Sequence, residues 1–353
     1  MHNDYPPSYL IVSPSWVGDL VMAQSLFKVL KYQTPTAYID LLAPHWMSSL
    51  IARMPEVRYV HPHQLEHGKL QWQARRDLGQ SLRSQQYDQA ILLANSFKSA
   101  LIPYFANIPK RTGFLGEMRY GLVNDVRPLN KLILRRTVDQ FIALGLPAGD
   151  KRQGQLFFPP RLSPVPATAV LARLNLDINR PILALCAGAE YGSAKRWSPE
   201  NYATVARQKI SEGWQVWLFG SGKDVAISEQ IRHAAGEGCY NLAGETNLGE
   251  AVDLLALAQV VISNDSGLMH VAAALNKPLI AIYGSSDPRM TPPLKQDAKI
   301  LYRALSCSPC FKRECPRKHL RCLTEISPEQ VLEALLELAR ACHQLDLNCA
   351  PTP

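Results

Sequence analysis

Short apolar runs recur along the chain. Each is followed by a polar or glycine-containing turn and then by apolar positions at helical spacing. Tyr9-Leu10-Ile11-Val12 reads as a buried strand, and Ser13-Pro14-Ser15-Trp16-Val17-Gly18-Asp19 as the turn after it. Met22, Leu26, Val29 and Leu30 then fall on one helical face. Tyr38-Ile39-Asp40-Leu41-Leu42 and Ala90-Ile91-Leu92-Leu93 continue the strands of a first half. A second set follows at Ile182-Leu183-Ala184-Leu185, Val216-Trp217-Leu218-Phe219, Val260-Val261-Ile262 and Leu279-Ile280-Ala281-Ile282. Apolar strands alternating with helical segments predict an α/β protein with parallel sheets covered on both faces.

Between the halves, residues 155–167 hold Pro159, Pro160, Pro164 and Pro166, which fits a stiff linker. The expected division is a first Rossmann-like domain over 1–160, a second over 161–326, and a C-terminal helix and tail over 327–353. Ser327, Pro328 and Gln330 start that helix as N-cap, first-turn proline and capping box. Val331, Leu335, Leu338 and Cys342 share its apolar face. The tail after Leu345 has no pattern.

With 353 residues, two cores are expected rather than one. Hydrophobic residues make up 47% and charged residues 19%, a globular balance. No apolar run approaches the roughly 20 residues of a membrane span. The polar, Pro-rich residues 1–7 lack a signal-peptide core, so a cytoplasmic location is expected. The net charge of +8 suits an anionic substrate or membrane surface, or simple solubility. Its cations are scattered, without zinc-finger or RNP-type spacing, which argues against nucleic acid. Cys186 and Cys239 lie in apolar surroundings as inert core residues. Cys307, Cys310, Cys315 and Cys322 cluster in one Pro-containing loop that fits either free thiols or a structural metal.

Ligands of doubly wound sheets bind beyond the carboxyl ends of the strands, so the loops there are the candidate sites. Asp19 ends the first such turn, and helix capping or chemistry would each explain it. Ser263-Asn264-Asp265-Ser266-Gly267-Leu268-Met269-His270 leads from a strand into a helix whose free N–H groups suit a diphosphate. Gly267 allows close approach there, Asp265 sits beside the same place, and His270 lies off the Leu268 stripe. The loop from Cys186 carries Gly188, Gly192, Lys195 and Arg196. Lys195 is placed to neutralise a leaving phosphate, or else is a solvated surface charge. Asp224 follows another strand and is a candidate for a ribose hydroxyl. In the first half, Lys98, Ser99, Arg111 and Arg119 stand on loops that an anionic acceptor, or a solvated basic face, would explain.

Several blocks in this order resemble the ADP-heptose:lipopolysaccharide heptosyltransferases over residues 10 to 338. They are Pro14-Ser15-Trp16-Val17-Gly18-Asp19, Asn95-Ser96-Phe97-Lys98-Ser99-Ala100, Arg111-Thr112-Gly113, Gly116-Glu117-Met118-Arg119-Tyr120-Gly121, Ala194-Lys195-Arg196-Trp197 and residues 264–274. The Trp16 and Glu117 blocks favour the type II enzymes of that family over type I. The resemblance implies a GT-B fold, two Rossmann-like doubly wound domains facing across a cleft. It implies an inverting transfer from ADP-heptose to the first heptose of the lipopolysaccharide inner core, at the inner face of the inner membrane. No cofactor and no metal ligands are implied, in keeping with the absence of an Asp-x-Asp triplet. Asp19 falls on the family's base. Lys195, Gly188, Asp224, Asp265, Ser266, Gly267 and His270 fall on the donor side; Ser15, Gly18, Lys98, Ser99, Arg111 and Arg119 fall on the acceptor side. A nucleotide-sugar epimerase would need further carboxylates around the sugar, and a sugar-binding protein would call for an export signal.

Overall fold

A computed structural model describes the backbone of residues 5–348 and side chains through 340. The Cys342 side chain and residues 349–353 of the tail lie outside the described residues. The chain divides into two compact units, 5–163 with Arg289–Thr291, and 164–288 with 292–348.

The first unit is built on six parallel strands, β1 (Ser8–Val12), β2 (Tyr38–Pro44), β3 (Tyr59–His63), β4 (Gln89–Leu92), β5 (Lys110–Phe114) and β6 (Asp125–Arg127). Their spatial order is β3-β2-β1-β4-β5-β6. The second unit has β7 (Ile182–Cys186), β8 (Gln215–Leu218), β9 (Cys239–Asn241), β10 (Val260–Asn264), β11 (Leu279–Tyr283) and β12 (Lys299–Tyr302). Its order, β12-β11-β10-β7-β8-β9, is the same winding repeated. In each sheet the connections reverse direction between the first and fourth strands of the unit. That leaves a crevice at the strands' carboxyl ends, where such sheets take ligands.

Inner strands follow from composition. β7, β10 and β11 are buried along their whole length, as parallel strands covered on both faces must be. Each fully buried apolar side chain contributes about 1.5–3 kcal/mol. The edge strands differ. Tyr-Val-His-Pro-His at β3 and Lys-Ile-Leu-Tyr at β12 are only partly covered, so they need no apolar run and give no periodic signal. β5 also corrects an expectation: Arg111 lies in a strand rather than on a loop.

The helix Val17–Gln33 begins inside the expected turn, so Gly18 and Asp19 belong to its first turn. It is buried far beyond the predicted stripe, with Leu20, Val21, Ala23, Gln24, Ser25 and Phe27 covered as well. The helix Thr137–Gly145 packs on it so closely that a Cβ at Gly145 would lie 2.3 Å from Leu26 Cδ1. Buried Gln24 donates to Arg161 O at 2.6 Å and accepts from Arg161 N at 2.9 Å, fastening the proline-rich segment to this helix. The final helix, Pro328–Asn348, places Val331, Leu335 and Leu338 in the core of the second unit with Trp197 and Tyr202. It runs past Leu345, further than the pattern predicted.

Candidate active site

Reactive side chains gather at the switch point of each sheet. In the first unit, β1 leads through buried Ser13 and Pro14 to exposed Ser15 and Trp16 and then to the helix start. Trp16 occupies the N-cap position and its side chain makes no cap bond, so the first-turn amides rely on other partners. Asp19 is the acidic residue of that turn and is partly exposed. Helix ends of this polarity favour a carboxylate in its charged form. Beside β1, β4 leads to Asn95, Ser96 and Lys98 at the start of the helix Phe97–Phe105. Glu117 Oε2 accepts from Phe97 N at 2.7 Å there, in place of the missing Ser96 cap.

In the second unit, Lys195 Nζ lies 2.5 Å from Asp265 Oδ2, and Ser286 Oγ donates to the same oxygen. Asp265 follows β10 directly, Lys195 comes from the loop after β7, and Ser286 from the loop after β11. Asn264 locks the first two loops together. Its Nδ2 donates to Ala187 O at 2.7 Å, and its Oδ1 accepts from Trp197 N and Tyr202 Oη, each at 3.0 Å. Trp197 is buried, with Nε1 donating to Ile326 O at 2.8 Å, so its ring anchors the short segment that carries Lys195. The Lys195 ammonium stands 5.2 Å from the centre of the Tyr191 ring. Only one of its three donors is committed to Asp265 by this pairing.

The helix Gly267–Ala274 starts next to this triad. Ser266 is its N-cap but makes no cap bond; its Oγ is 3.2 Å from Ser263 Oγ. Ser266 and Gly267 are partly exposed, and the start of a helix carries a partial positive charge. His270 is buried rather than at the edge of the core, and its Nδ1 has no hydrogen-bond partner. Burial pushes it down to about 4; Asp265 opposes that shift and Lys195 adds to it. The imidazole is thus neutral at pH 7.

Several residues expected to touch ligands make structural hydrogen bonds. Arg119 is fully buried, and its guanidinium donates to Ala94 O at 2.7 Å, to Ser99 Oγ at 3.2 Å and to Phe114 O. Ser99 Oγ is spent on Ser96 O at 2.6 Å and Ala94 O at 3.0 Å. Arg111 ties the segment before its strand to the one after it, through Ile108 O at 2.6 Å and Leu122 O at 2.7 Å. Satisfying buried carbonyls outweighs display to solvent, because each one left unpaired costs about 1–3 kcal/mol. Asp224 behaves similarly. It is buried, its Oδ2 accepts from Ser221 N at 2.9 Å and Ser221 Oγ at 2.8 Å, and its Oδ1 lies 3.5 Å from Arg196. A Cβ on Gly188 would strike the Asp224 carboxyl at 2.5 Å, so that glycine lets two loops meet. Lys98 is partly exposed and remains on the surface side of its helix start. Ser286 was not singled out, and Asn264 only as part of the turn from Ser263 to His270. The rule that sites follow strands would have reached Ser286 at the end of β11.

The sequence pattern of glycosyltransferase family 9 (heptosyltransferase) matches residues 75–321. The chain belongs to that family. Lipopolysaccharide heptosyltransferase 2 of Escherichia coli strain K12 is 46% identical over 336 residues, covering 92% of this chain and 97% of the relative. Lipooligosaccharide heptosyltransferase 2 of Haemophilus influenzae is 44% identical over 343 residues, covering 93% and 98%. The solved E. coli ADP-heptose lps heptosyltransferase II matches with a TM-score of 0.85 at 43% identity, covering 94% of this chain and 98% of that one. Family 9 membership makes this heptosyltransferase chain a glycosyltransferase.

Proposed function

We propose that this heptosyltransferase moves L-glycero-D-manno-heptose from ADP-heptose to the first heptose of the lipopolysaccharide inner core. The second unit takes the donor and the first takes the acceptor. One observation carries the reading: a lysine held by Asp265 and Ser286 beside an uncapped helix start, at the switch point of the second sheet. That is a site for a diphosphate. Lys195 and the Ser266–Gly267 amides stabilise the charge that grows on the leaving ADP. Neutral His270 adds no competing positive charge. Asp19 accepts the proton of the acceptor hydroxyl as its oxygen bonds to the anomeric carbon and the bond to the ADP oxygen breaks. The displacement inverts the anomeric centre, and no metal takes part in it.

On the acceptor side, Ser15, Gly18 and Lys98 remain as contacts, while Ser99, Arg111 and Arg119 shape the loops that hold them. Asp224 holds the Gly188 loop in register. Among the described residues no helix is long and apolar enough to cross a membrane. The +8 charge suits work at the inner face of the inner membrane, against an anionic acceptor and without nucleic acid. The test is to incubate the pure chain with ADP-heptose and core acceptors bearing no heptose or one. Mass spectrometry should show one added heptose on the second acceptor only. Gain on the heptose-free acceptor would reassign the chain to the first transfer. EDTA should leave the rate unchanged; a loss reversed by magnesium would overturn the metal-free step.

A further inference from the structure

Residues 303–320, after β12, contain no strand or helix, yet they are held in one defined path. Ala304, Phe311, Lys318 and Leu320 all adopt left-handed backbone there, a conformation that costs roughly 1 kcal/mol or more per non-glycine residue. Few apolar side chains are available to offset this, and Phe311 is itself exposed. What the segment does have is four cysteines, Cys307, Cys310, Cys315 and Cys322, separated by two, four and six residues. All four line one small cavity with Ala194, Ser285 and Leu320. None is in a disulfide.

We infer that Cys307, Cys310, Cys315 and Cys322 form a tetrathiolate site for a structural zinc or iron ion. Thiolates in this number select zinc or iron over harder cations. The cavity is built for negative sulfur. Between Cys307 and Cys322 the chain carries Lys312, Arg313, Arg317, Lys318 and Arg321 against the single Glu314. That excess offsets the charge left when four thiolates surround a divalent cation. As the side chains stand, no three metal-ligating groups among the described residues converge on a point. The four cysteines that line the cavity come from one continuous segment, so the path of the backbone is what brings them to one place.

The site would brace the lysine loop. Arg313 O accepts from Ala194 N at 3.0 Å, and Phe311 O accepts from Tyr191 Oη at 2.8 Å. Phe311 N donates to Ser285 O at 2.8 Å, and Ser308 Oγ to Gly284 O at 2.6 Å. A Cβ on Gly192 would lie 2.3 Å from Arg313 O, so the two loops are in direct backbone contact. The ion would therefore fix the position of Lys195 without touching substrate. This bracing role rests on the donor reading of Lys195; the metal site does not.

The test starts with metal analysis of the full chain, purified under reducing conditions and reconstituted with Zn2+. One ion per chain is expected. Replacement by Co2+ should give thiolate-to-cobalt charge transfer and the intense visible bands of a tetrahedral site. Cys310→Ser with Cys315→Ser should abolish both signals, and Cys239→Ser, in β9, should keep them. Metal at background after reconstitution, or a disulfide among the four in the zinc-treated protein, would overturn the site. Stripping the ion with an organomercurial, followed by thiol to remove the reagent, should raise the donor KM several-fold and leave the acceptor KM alone. An unchanged donor KM would overturn the bracing role.

Discussion

Both units wind six parallel strands in one order, and each gathers its polar residues where the winding reverses. They use charge differently there. In the second unit the cation reaches the crevice: Lys195 is partly exposed and tethered by Asp265, which Ser286 also contacts. In the first unit, Arg111 and Arg119 turn inward to carbonyls, and the same loop exposes Met118 and Tyr120. A leaving diphosphate concentrates charge at one place, and a fixed cation is its natural partner. A sugar hydroxyl to be deprotonated needs a carboxylate and a shaped surface instead. The contrast teaches that a basic loop in sequence is not yet a basic site. Whether a cation faces solvent depends on which carbonyls nearby lack partners.

Changes at the two switch points can break this contrast. The largest effect is expected from Asp19→Asn, a loss of transfer of roughly 100- to 10,000-fold with ADP affinity retained. Steady-state rates with calorimetric ADP titration would check it, and near-normal turnover would remove Asp19 as base. Lys195→Ala should cost about 100-fold in donor kcat/KM, similar to deleting one preorganised charge donor. Unchanged donor kinetics would return Lys195 to a surface role. Arg119→Ala should act on stability instead, by roughly 3 kcal/mol, because Ala94 O and Phe114 O lose their partner. Urea unfolding would show the loss. A variant of full stability with weakened acceptor binding would restore Arg119 to the acceptor site.

The pH dependence sharpens the same comparison. Each unit holds a histidine pushed down to about 4, His63 in the first and His270 in the second, and in both burial is the main cause. Below the ordinary value near 6.5 the unfolded chain takes up protons that the fold refuses. Stability is therefore complete above pH 6.5 and falls as pH drops toward 4, by roughly 3 kcal/mol for fully buried His270. His270→Gln should reduce this slope without removing it, since His63 still contributes. An unaltered slope between pH 7 and 4.5 in urea titrations would count against a neutral buried His270. The smallest expected change is at Tyr120. Exposed side chains there contribute within about 0.5 kcal/mol to folding, so Tyr120→Ala should leave stability alone and raise acceptor KM a few-fold.

Much of this molecule is readable from residue order. β1, β7, β10 and β11 are buried on both faces, so their positions follow from uninterrupted apolar runs. Asp19, Lys195 and the Asp265-Ser266-Gly267 turn follow from the same pattern, because each lies just beyond such a run. β3, β6, β9 and β12 left no comparable trace, since strands at or near a sheet edge are held by backbone hydrogen bonds that any side chain permits. The fates of Arg111, Arg119, Asp224 and His270 were equally hidden. Local sequence shows that a side chain can carry charge or a hydrogen bond. Only the packed structure decides its partner, because the competing carbonyls of Ala94, Leu122 and their neighbours arrive from elsewhere in the chain. The places of Asp19 and Lys195 in the fold were legible because strand ends fix where a side chain emerges. Ser286, and the locking role of Asn264, became visible only when three separate loops met.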